Sequence, residues 1–485
     1  MSTAIQGLKP ELVWKYFAEI SRIPRGSKNE AAISKYVLAA AKKMGLVAKT
    51  DKLGNVVVRK PASPNRENVP SIALQGHLDM VCEKNKDTVH DFLKDPIELV
   101  RNGNVLMAKG TTLGADNGIA VATSLAIMED RTLEHGPLEL LFTVDEETGL
   151  TGAANLQSDF LTSKTLMNLD SEEEGALYVG CSGGKDTVGT WKLHFDAVAG
   201  SMTPVQIRVS GLKGGHSGLD IDKGRGNAIK IMNRALLALE PIGVRLASFE
   251  GGNKHNAIPR ESEAVLLIPA RKVDEAAGIL STLTETVKAE LATIEPDLAV
   301  SFDKVNSRKK WKVIRKGEQQ KITKTIAALP HGVIRMSADI PGLVETSTNV
   351  AVVRTIKDTI RIATSQRSSV ASEIGEIAQS VAFIFELGGA EVGHTDAYPG
   401  WKPNMDSQIL AIAKSAFRGL YGKDPEVKAI HAGLECGIIG ERVPGMDMVS
   451  LGPTLEGVHS PDEKIHIDTV ERFWKFLLEI LKRVK

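Results

Sequence analysis

Cysteine is scarce in this chain, with three in 485 residues. Cys82, Cys181 and Cys436 stand far apart, are odd in number and form no Cys-x-x-Cys pair. That excludes a disulfide framework and a dithiol redox motif, and a reducing, cytoplasmic compartment is expected. Each cysteine reads as a small apolar residue. Net charge is also missing: 60 basic residues balance 60 acidic ones. Nothing in that balance steers the chain toward nucleic acid or an anionic membrane. No apolar run approaches the ~18 residues of a membrane span. The start, Met1-Ser2-Thr3-Ala4-Ile5-Gln6, lacks the basic and apolar segments of a secretory signal, so none is expected. What is present is an ordinary globular composition, 42% hydrophobic and 25% charged, enough to bury a sizeable core. The length suggests about two to four domains.

Chemistry enters at Ile72-Ala73-Leu74-Gln75-Gly76-His77-Leu78-Asp79-Met80-Val81. An apolar run of strand length stops at a glycine, and His77 and Asp79 follow, two residues apart. In extended chain they leave the strand end on the same side. A carboxylate beside an imidazole fixes its tautomer and raises its basicity as a metal ligand. A plain His–Asp hydrogen bond in a loop is the structural alternative.

The same texture recurs. Gly114-Ala115-Asp116-Asn117-Gly118 opens a helix to about Glu129, and Asp116 could be no more than its N-cap. The apolar strand Leu138 to Val144 ends in Asp145, Glu146 and Glu147. Three consecutive carboxylates repel one another unless a cation or partner neutralises them, or unless they form a solvated turn. Thr165 to Leu169 is a short strand that ends in Asp170. Ser27 and Glu30 have the spacing of a capping box for a helix to about Met44, and Asn102-Gly103-Asn104 predicts a hairpin turn.

Strands alternating with helices, with acids and a histidine at strand ends, place functional groups outside the carboxyl ends of an open sheet. The fold class is α/β: a mixed, largely parallel sheet flanked by helices, over 1–185 and 397–485. Residues 186–396 read as an inserted α+β region, a β-α-β sandwich of two similar halves, although no sequence repeat is visible. Tyr398-Pro399-Gly400-Trp401 has the look of a hinge. The α/β texture resumes beyond it, reaches His459-Ser460-Pro461-Asp462-Glu463, and closes on an amphipathic helix from about Ile467.

His77, Asp116, Glu147, Asp170 and His459 stand out together. Two imidazoles and three carboxylates suit one or two zinc-like ions, with cobalt or manganese also acceptable to such donors. Two metals about 3.5–4 Å apart that share a carboxylate are a known hydrolytic arrangement. Glu146, beside Glu147, is the natural base to take a proton from a bridging water.

These motifs, in this order, resemble the co-catalytic dizinc exopeptidases, the family of aminoacylase, carnosinase and peptidases T and V, and within it the bacterial aminoacyl-histidine dipeptidase branch. The likeness spans essentially the whole chain. It includes Asp87 to Phe92, Gly110 to Gly118, Asp170 to Gly175, Asn256 to Glu261 and His431 to Gly437. It implies that Asp116 bridges two metals, that His77 and Asp170 complete one site, and that Glu147 and His459 complete the other. Asp79 is then the orienter of His77, and Glu146 the general base and acid. The insertion corresponds to a lid, in which His216 stabilises the oxyanion while Asn256 and Arg367 hold the substrate's terminal carboxylate. The implied activity is hydrolysis of unblocked dipeptides, including Xaa-His such as β-alanyl-histidine, by a metal-bridging water that Glu146 activates. The partners expected are a small peptide substrate and a second copy of the chain in a homodimer, with no nucleic acid and no membrane. A lid this long could also substitute internally for a partner's lid.

Other readings stay open at this point. An N-acyl amino-acid deacylase or a tripeptidase shares the same core and differs only in its pocket. Gly180-Cys181-Ser182-Gly183-Gly184 matches the Gly-x-Ser-x-Gly pattern of serine hydrolases, which needs a helix after the serine. A peptide-binding protein without catalysis is the third.

Overall fold

The stretch Ile72–His77 is buried at every position and lies inside an eight-stranded sheet. In the computed structural model of the chain, residues 3–198, 201–306, 310–395 and 397–485 are described. The sheet runs Val47–Thr50, Val56–Lys60, Leu138–Thr143, Ile72–His77, Thr165–Asn168, Asp447–Ser450, Ala176–Cys181, Glu426–Ile430. The four strands from Leu138–Thr143 to Asp447–Ser450 are mutually parallel. Antiparallel strands flank them on both sides. The sheet is thus mixed with a parallel centre, and its central strands are buried along nearly their whole length, as expected of strands covered on both faces.

Register decides what this sheet can do. His77 lies opposite Thr143, and Gln75 opposite Asn168. The segments that follow, 77–79, 145–147 and 170, therefore leave the sheet side by side. Helix Ala115–Glu129 packs on strand Ile72–His77 and on helix Glu11–Ile20. Gly76 permits that approach: a Cβ there would meet Asn117 Oδ1 at 2.4 Å and Ala120 Cβ at 2.7 Å. The helix Ile467–Arg483 buries Ile467, Val470, Phe473, Leu477 and Ile480, an apolar stripe at helical spacing, and packs on Gln408–Tyr421. The hairpin Leu99–Asn102/Val105–Ala108 forms about Gly103, whose φ of 58° suits the turn.

One local expectation fails. Ser27 and Glu30 make no capping box: helix Ala31–Lys43 has no side-chain cap. Ser27 Oγ donates instead to Asp79 Oδ2 at 2.8 Å, and Glu30 Oε1 accepts from the backbone N–H of Asp145 at 2.9 Å. Tertiary partners outcompete the local cap.

By contacts the chain forms two units: Met1–Cys181 with Trp401–Ala429 and Leu434–Lys485, and Ser182–Gly400 with Ile430–Gly433. Residue 396, where the sequence reading ends the insertion, lies outside the described residues. The second unit is built of two halves with the same βαββαβ order. The first half is Met202–Ser210, Ala228–Leu239, Arg245–Gly251, Ser262–Pro269, Val273–Leu291 and Ala299–Lys304. The second is Gly183–Lys192, Lys316–Ala328, Val344–Ile356, Thr359–Ser368, Ala371–Leu387 and Glu391–His394. In each half the sheet order is fourth, first, third, second strand. The two second strands meet, Glu250 opposite Arg354 and Gly251 opposite Val353, which makes one continuous sheet. A single core that includes Trp191, Phe249, Leu266, Ile362 and Phe385 lies beneath it.

Candidate active site

Two groups of donor atoms form where the parallel strands end. His77 Nε2 lies 3.1 Å from Asp116 Oδ1 and 3.4 Å from Asp170 Oδ1. His459 Nε2 lies 3.1 Å from Asp116 Oδ2 and 3.0 Å from Glu147 Oε2. The two oxygens of Asp116 thus face different histidines. Within each group the donor atoms lie within 4.8 Å of one another. A third such group joins His77, Glu146 and Glu147, so Glu146 stands beside both. The structure brings all five of the predicted side chains together, with Glu146.

Asp116 is no cap. Its backbone, at φ −79° and ψ 110°, would suit an N-cap, but its two carboxylate oxygens lie 3.1 Å from His77 Nε2 and His459 Nε2. Its carboxylate is turned toward the imidazoles. Asn117 closes the corner: Oδ1 accepts from the backbone N–H of His77 at 3.2 Å, and Nδ2 donates to the carbonyl of Leu169 at 3.0 Å. His459 holds its place with φ 62°, uncommon outside glycine and most tolerated by Asn, Asp and His.

Asp79 is fully buried behind His77. Its Oδ1 lies 3.3 Å from His77 Nδ1 and accepts from the backbone N–H of Glu146 at 3.0 Å, while Oδ2 accepts from that of Glu147 at 3.2 Å. One carboxylate therefore fixes both the imidazole and the acidic strand end. Burial pushes the Asp79 carboxyl up, but His77 and these N–H donors bring it down to about 2.

The donor chemistry fits divalent metal. Glu147 Oε1 and Asp170 Oδ1 are buried atoms without a hydrogen-bond partner, an expensive condition unless a cation satisfies them. Burial lowers the His77 imidazole, yet Asp170, Asp116 and Asp79 outweigh it and hold it well above its usual range. Hydrogen bonds to the Asp116 and Glu147 carboxylates push His459 up to about 11. In both cases the surrounding carboxylates favour a positive charge at the imidazole, which a metal ion would supply. Burial drives the Glu146 carboxyl well above its ordinary range; His77 opposes this, and Asp170, Glu435 and Glu147 add to it.

Two charged residues at this site carry no pattern in the sequence. Glu463 is buried, and its carboxylate accepts from the backbone N–H groups of Leu113, Gly114, Ala115 and Asp116 at 2.7, 2.9, 2.7 and 3.2 Å. Four residues after His459, it ties that loop to the loop of Asp116. Arg25, also buried, donates to the carbonyls of Leu78, Asp79 and Gly114. Glu463 belongs to the string His459-Ser460-Pro461-Asp462-Glu463, the one signal that could have found it.

In the second unit, His216 pairs with Ala257, which sets Asn256 beside it, and both line a cleft of about 930 Å³. Arg367 is buried; Nε donates to Ser217 Oγ at 3.3 Å and Nη1 to Tyr398 Oη at 2.8 Å. His216, Asn256 and Arg367 thus share one neighbourhood. His216 Nδ1 accepts from the backbone N–H groups of Gly218 and Leu219 at 3.2 and 3.1 Å, so the ring proton is assigned to Nε2. Burial and Arg367 lower this imidazole to about 4. His431, absent from the predicted set, joins them: Nε2 lies 2.7 Å from Ser347 Oγ.

Ser182 does not form a nucleophile elbow. A strand, Gly183–Lys192, follows it in place of a helix, and its hydroxyl is buried without a partner.

The profile of peptidase family M20/M25/M40 matches residues 73–483. Over 478 residues, 98% of each chain, the sequence is 42% identical to the cytosol non-specific dipeptidase of Escherichia coli K12. The crystal structure of aminoacylhistidine dipeptidase from Vibrio alginolyticus is similar with a TM-score of 0.90 and 42% identity, covering 99% of this chain and 98% of that one. Aminopeptidase PepT from Bacillus cereus shares the fold at 17% identity, with a TM-score of 0.57 over 98% and 99% of the two chains. With strand-end donor groups on a chain matched over nearly its full length, the protein belongs to peptidase family M20/M25/M40.

Proposed function

We propose that this chain is a dimetal dipeptidase that hydrolyses unblocked dipeptides, with Xaa-His dipeptides such as β-alanyl-histidine among its substrates. The observation that carries this reading is the pair of three-donor groups sharing Asp116, with Glu146 beside both. The names of the Escherichia coli and Vibrio relatives, a non-specific dipeptidase and an aminoacylhistidine dipeptidase, support the substrate class.

His77, Asp116 and Asp170 would hold one ion, and Asp116, Glu147 and His459 the other. Zinc is proposed first, with cobalt or manganese compatible with the same donors. When bound, such ions polarise a carbonyl and acidify water. The chain supplies the rest. Asp79 fixes the His77 ring through Nδ1, leaving Nε2 for the ion. Glu146 takes a proton from the attacking water and returns it to the leaving nitrogen. Its buried surroundings favour a high proton affinity, which suits the first of these transfers.

Residues 186–396 are assigned as the lid. Neutral His216, with its proton on Nε2, is placed as donor to the developing oxyanion. Arg367 offers a planar guanidinium for a carboxylate, and Asn256 an amide, so the pair is assigned to the dipeptide's C-terminus. A cytoplasmic location is proposed from the relative's printed name and from three cysteines that form no disulfide. Among the described residues no helix is long and apolar enough to cross a membrane. A homodimer is also proposed; the exposed Val333, Ile334 and Met336 of strand Gly332–Met336 supply an apolar edge.

A substrate panel with zinc-loaded protein tests this reading: free dipeptides, a tripeptide, an N-acetyl amino acid and an N-acetyl dipeptide. Cleavage of the free dipeptides alone is expected. Preferential cleavage of the N-acetyl amino acid, or of the tripeptide, moves the protein to the deacylases or tripeptidases and refutes the dipeptide assignment.

A further inference from the structure

Beneath the metal-ligand cluster, the four parallel strands carry a row of polar side chains where apolar ones would pack. Thr143, Gln75, Asn168 and Ser450 come one from each strand, and all are buried. Gln75 Nε2 donates to Thr143 Oγ1 at 3.1 Å, and Gln75 Oε1 accepts from Asn168 Nδ2 at 2.6 Å. Asn168 Oδ1 accepts from Ser450 Oγ at 2.5 Å and from the backbone N–H of Asp170 at 3.3 Å. Ser450 Oγ shares a further bond of 2.7 Å with Ser171 Oγ. His77 follows Gln75 by two residues and Asp170 follows Asn168 by two. Glu146 and Glu147 follow Thr143 by three and four.

The row ends on a charge. Glu435 opens the short helix Glu435–Arg442 and has no solvent exposure. Its Oε2 accepts from Gln75 Nε2 at 2.5 Å and from Thr143 Oγ1 at 2.7 Å. Its Oε1 is buried with no hydrogen-bond partner. A buried carboxylate half satisfied is among the costliest groups a core can hold. A glutamine, or an apolar residue with the row removed, would be cheaper. Burial pushes the Glu435 carboxyl up to about 7; His77 and the Thr143 hydroxyl oppose that, and Asp170 and Asp79 add to it. Glu435 in turn acts on Glu146. The group is electrostatically part of the cluster although it belongs to none of the donor groups.

We propose that Glu435 is a positioning residue for the reaction: it anchors the polar row that spaces the strand ends bearing His77, Glu146, Glu147 and Asp170, and its second oxygen adds negative charge beside them. This role rests on the dimetal dipeptidase reading above.

Glu435→Gln tests it, since an amide keeps the volume and one acceptor but removes the charge. Zinc affinity is expected to fall about 10- to 100-fold, and kcat at saturating zinc by a similar factor, with KM for a free dipeptide changed by less than about threefold. The visible absorption of the cobalt-loaded variant is expected to shift, a readout independent of turnover. Thr143→Val, which deletes one donor to the same oxygen, is expected to move each quantity in the same direction by less, and it serves if Glu435→Gln does not fold. Wild-type zinc affinity, kcat and cobalt spectrum in the variants, with only a lower Tm, refute the positioning role and leave a structural one. A wild type that neither binds zinc nor cleaves dipeptides overturns the proposed function, and this role with it.

Discussion

Replacing Glu146 by Gln is expected to lower kcat for a free dipeptide by about 10³- to 10⁴-fold while both metal ions stay bound. The amide keeps the shape of the side chain but cannot take a proton at neutral pH. The backbone at this point is held independently, because Asp79 Oδ1 accepts from the N–H of residue 146 at 3.0 Å. Metal content is therefore the deciding companion measurement. Glu146 also clusters with His77 and Glu147, so a role as ligand is the real competitor. Loss of metal in the Gln variant would assign Glu146 as a ligand. Full activity would remove it from the chemistry altogether.

Asp116→Ala is expected to empty both metal sites and to cost activity by roughly 10³-fold or more, the equivalent of several kcal/mol of lost charge stabilisation. The reason is geometric. Its two oxygens lie 3.1 Å from two different imidazoles, so one substitution leaves each group with two donors. Substitution of Asp170 or of Glu147 touches only one of the two groups that share Asp116. Metal analysis on the three variants separates the cases: Asp116→Ala retaining one tightly bound ion would show that the carboxylate is not shared.

Much of this site was legible because it lies at strand ends. Apolar runs that stop at a histidine or an acid are local patterns, and parallel register then aligns their ends without further information. The alternatives for single residues needed tertiary facts. Asp116 looked equally suited to cap a helix until its carboxylate oxygens proved to face His77 and His459. Ser27 and Glu30 looked like a capping box because that pattern is local, whereas their actual partners, Asp79 and Asp145, are distant in sequence. Arg25 and Glu463 were illegible for a related reason: their bonds go to backbone carbonyls and N–H groups, which leave no trace in residue type.

The lid shows the same limit at larger scale. Its two halves share one strand order, but the first half is inserted after the first strand of the second, between Lys192 and Lys316. A linear search for a period finds nothing, because the second repeat is interrupted by the first. His431 and Tyr398 come from segments outside both halves. They reach Ser347 and Arg367, respectively, only through the folded chain.

The most direct measurement is a zinc titration of metal-stripped protein, following bound metal and hydrolysis of a free dipeptide in the same sample. No hydrolysis without metal, and a rise that saturates as the second of two ions binds per chain, is the expected result. Hydrolysis by the metal-free protein, or none with two ions bound, would contradict a dimetal dipeptidase.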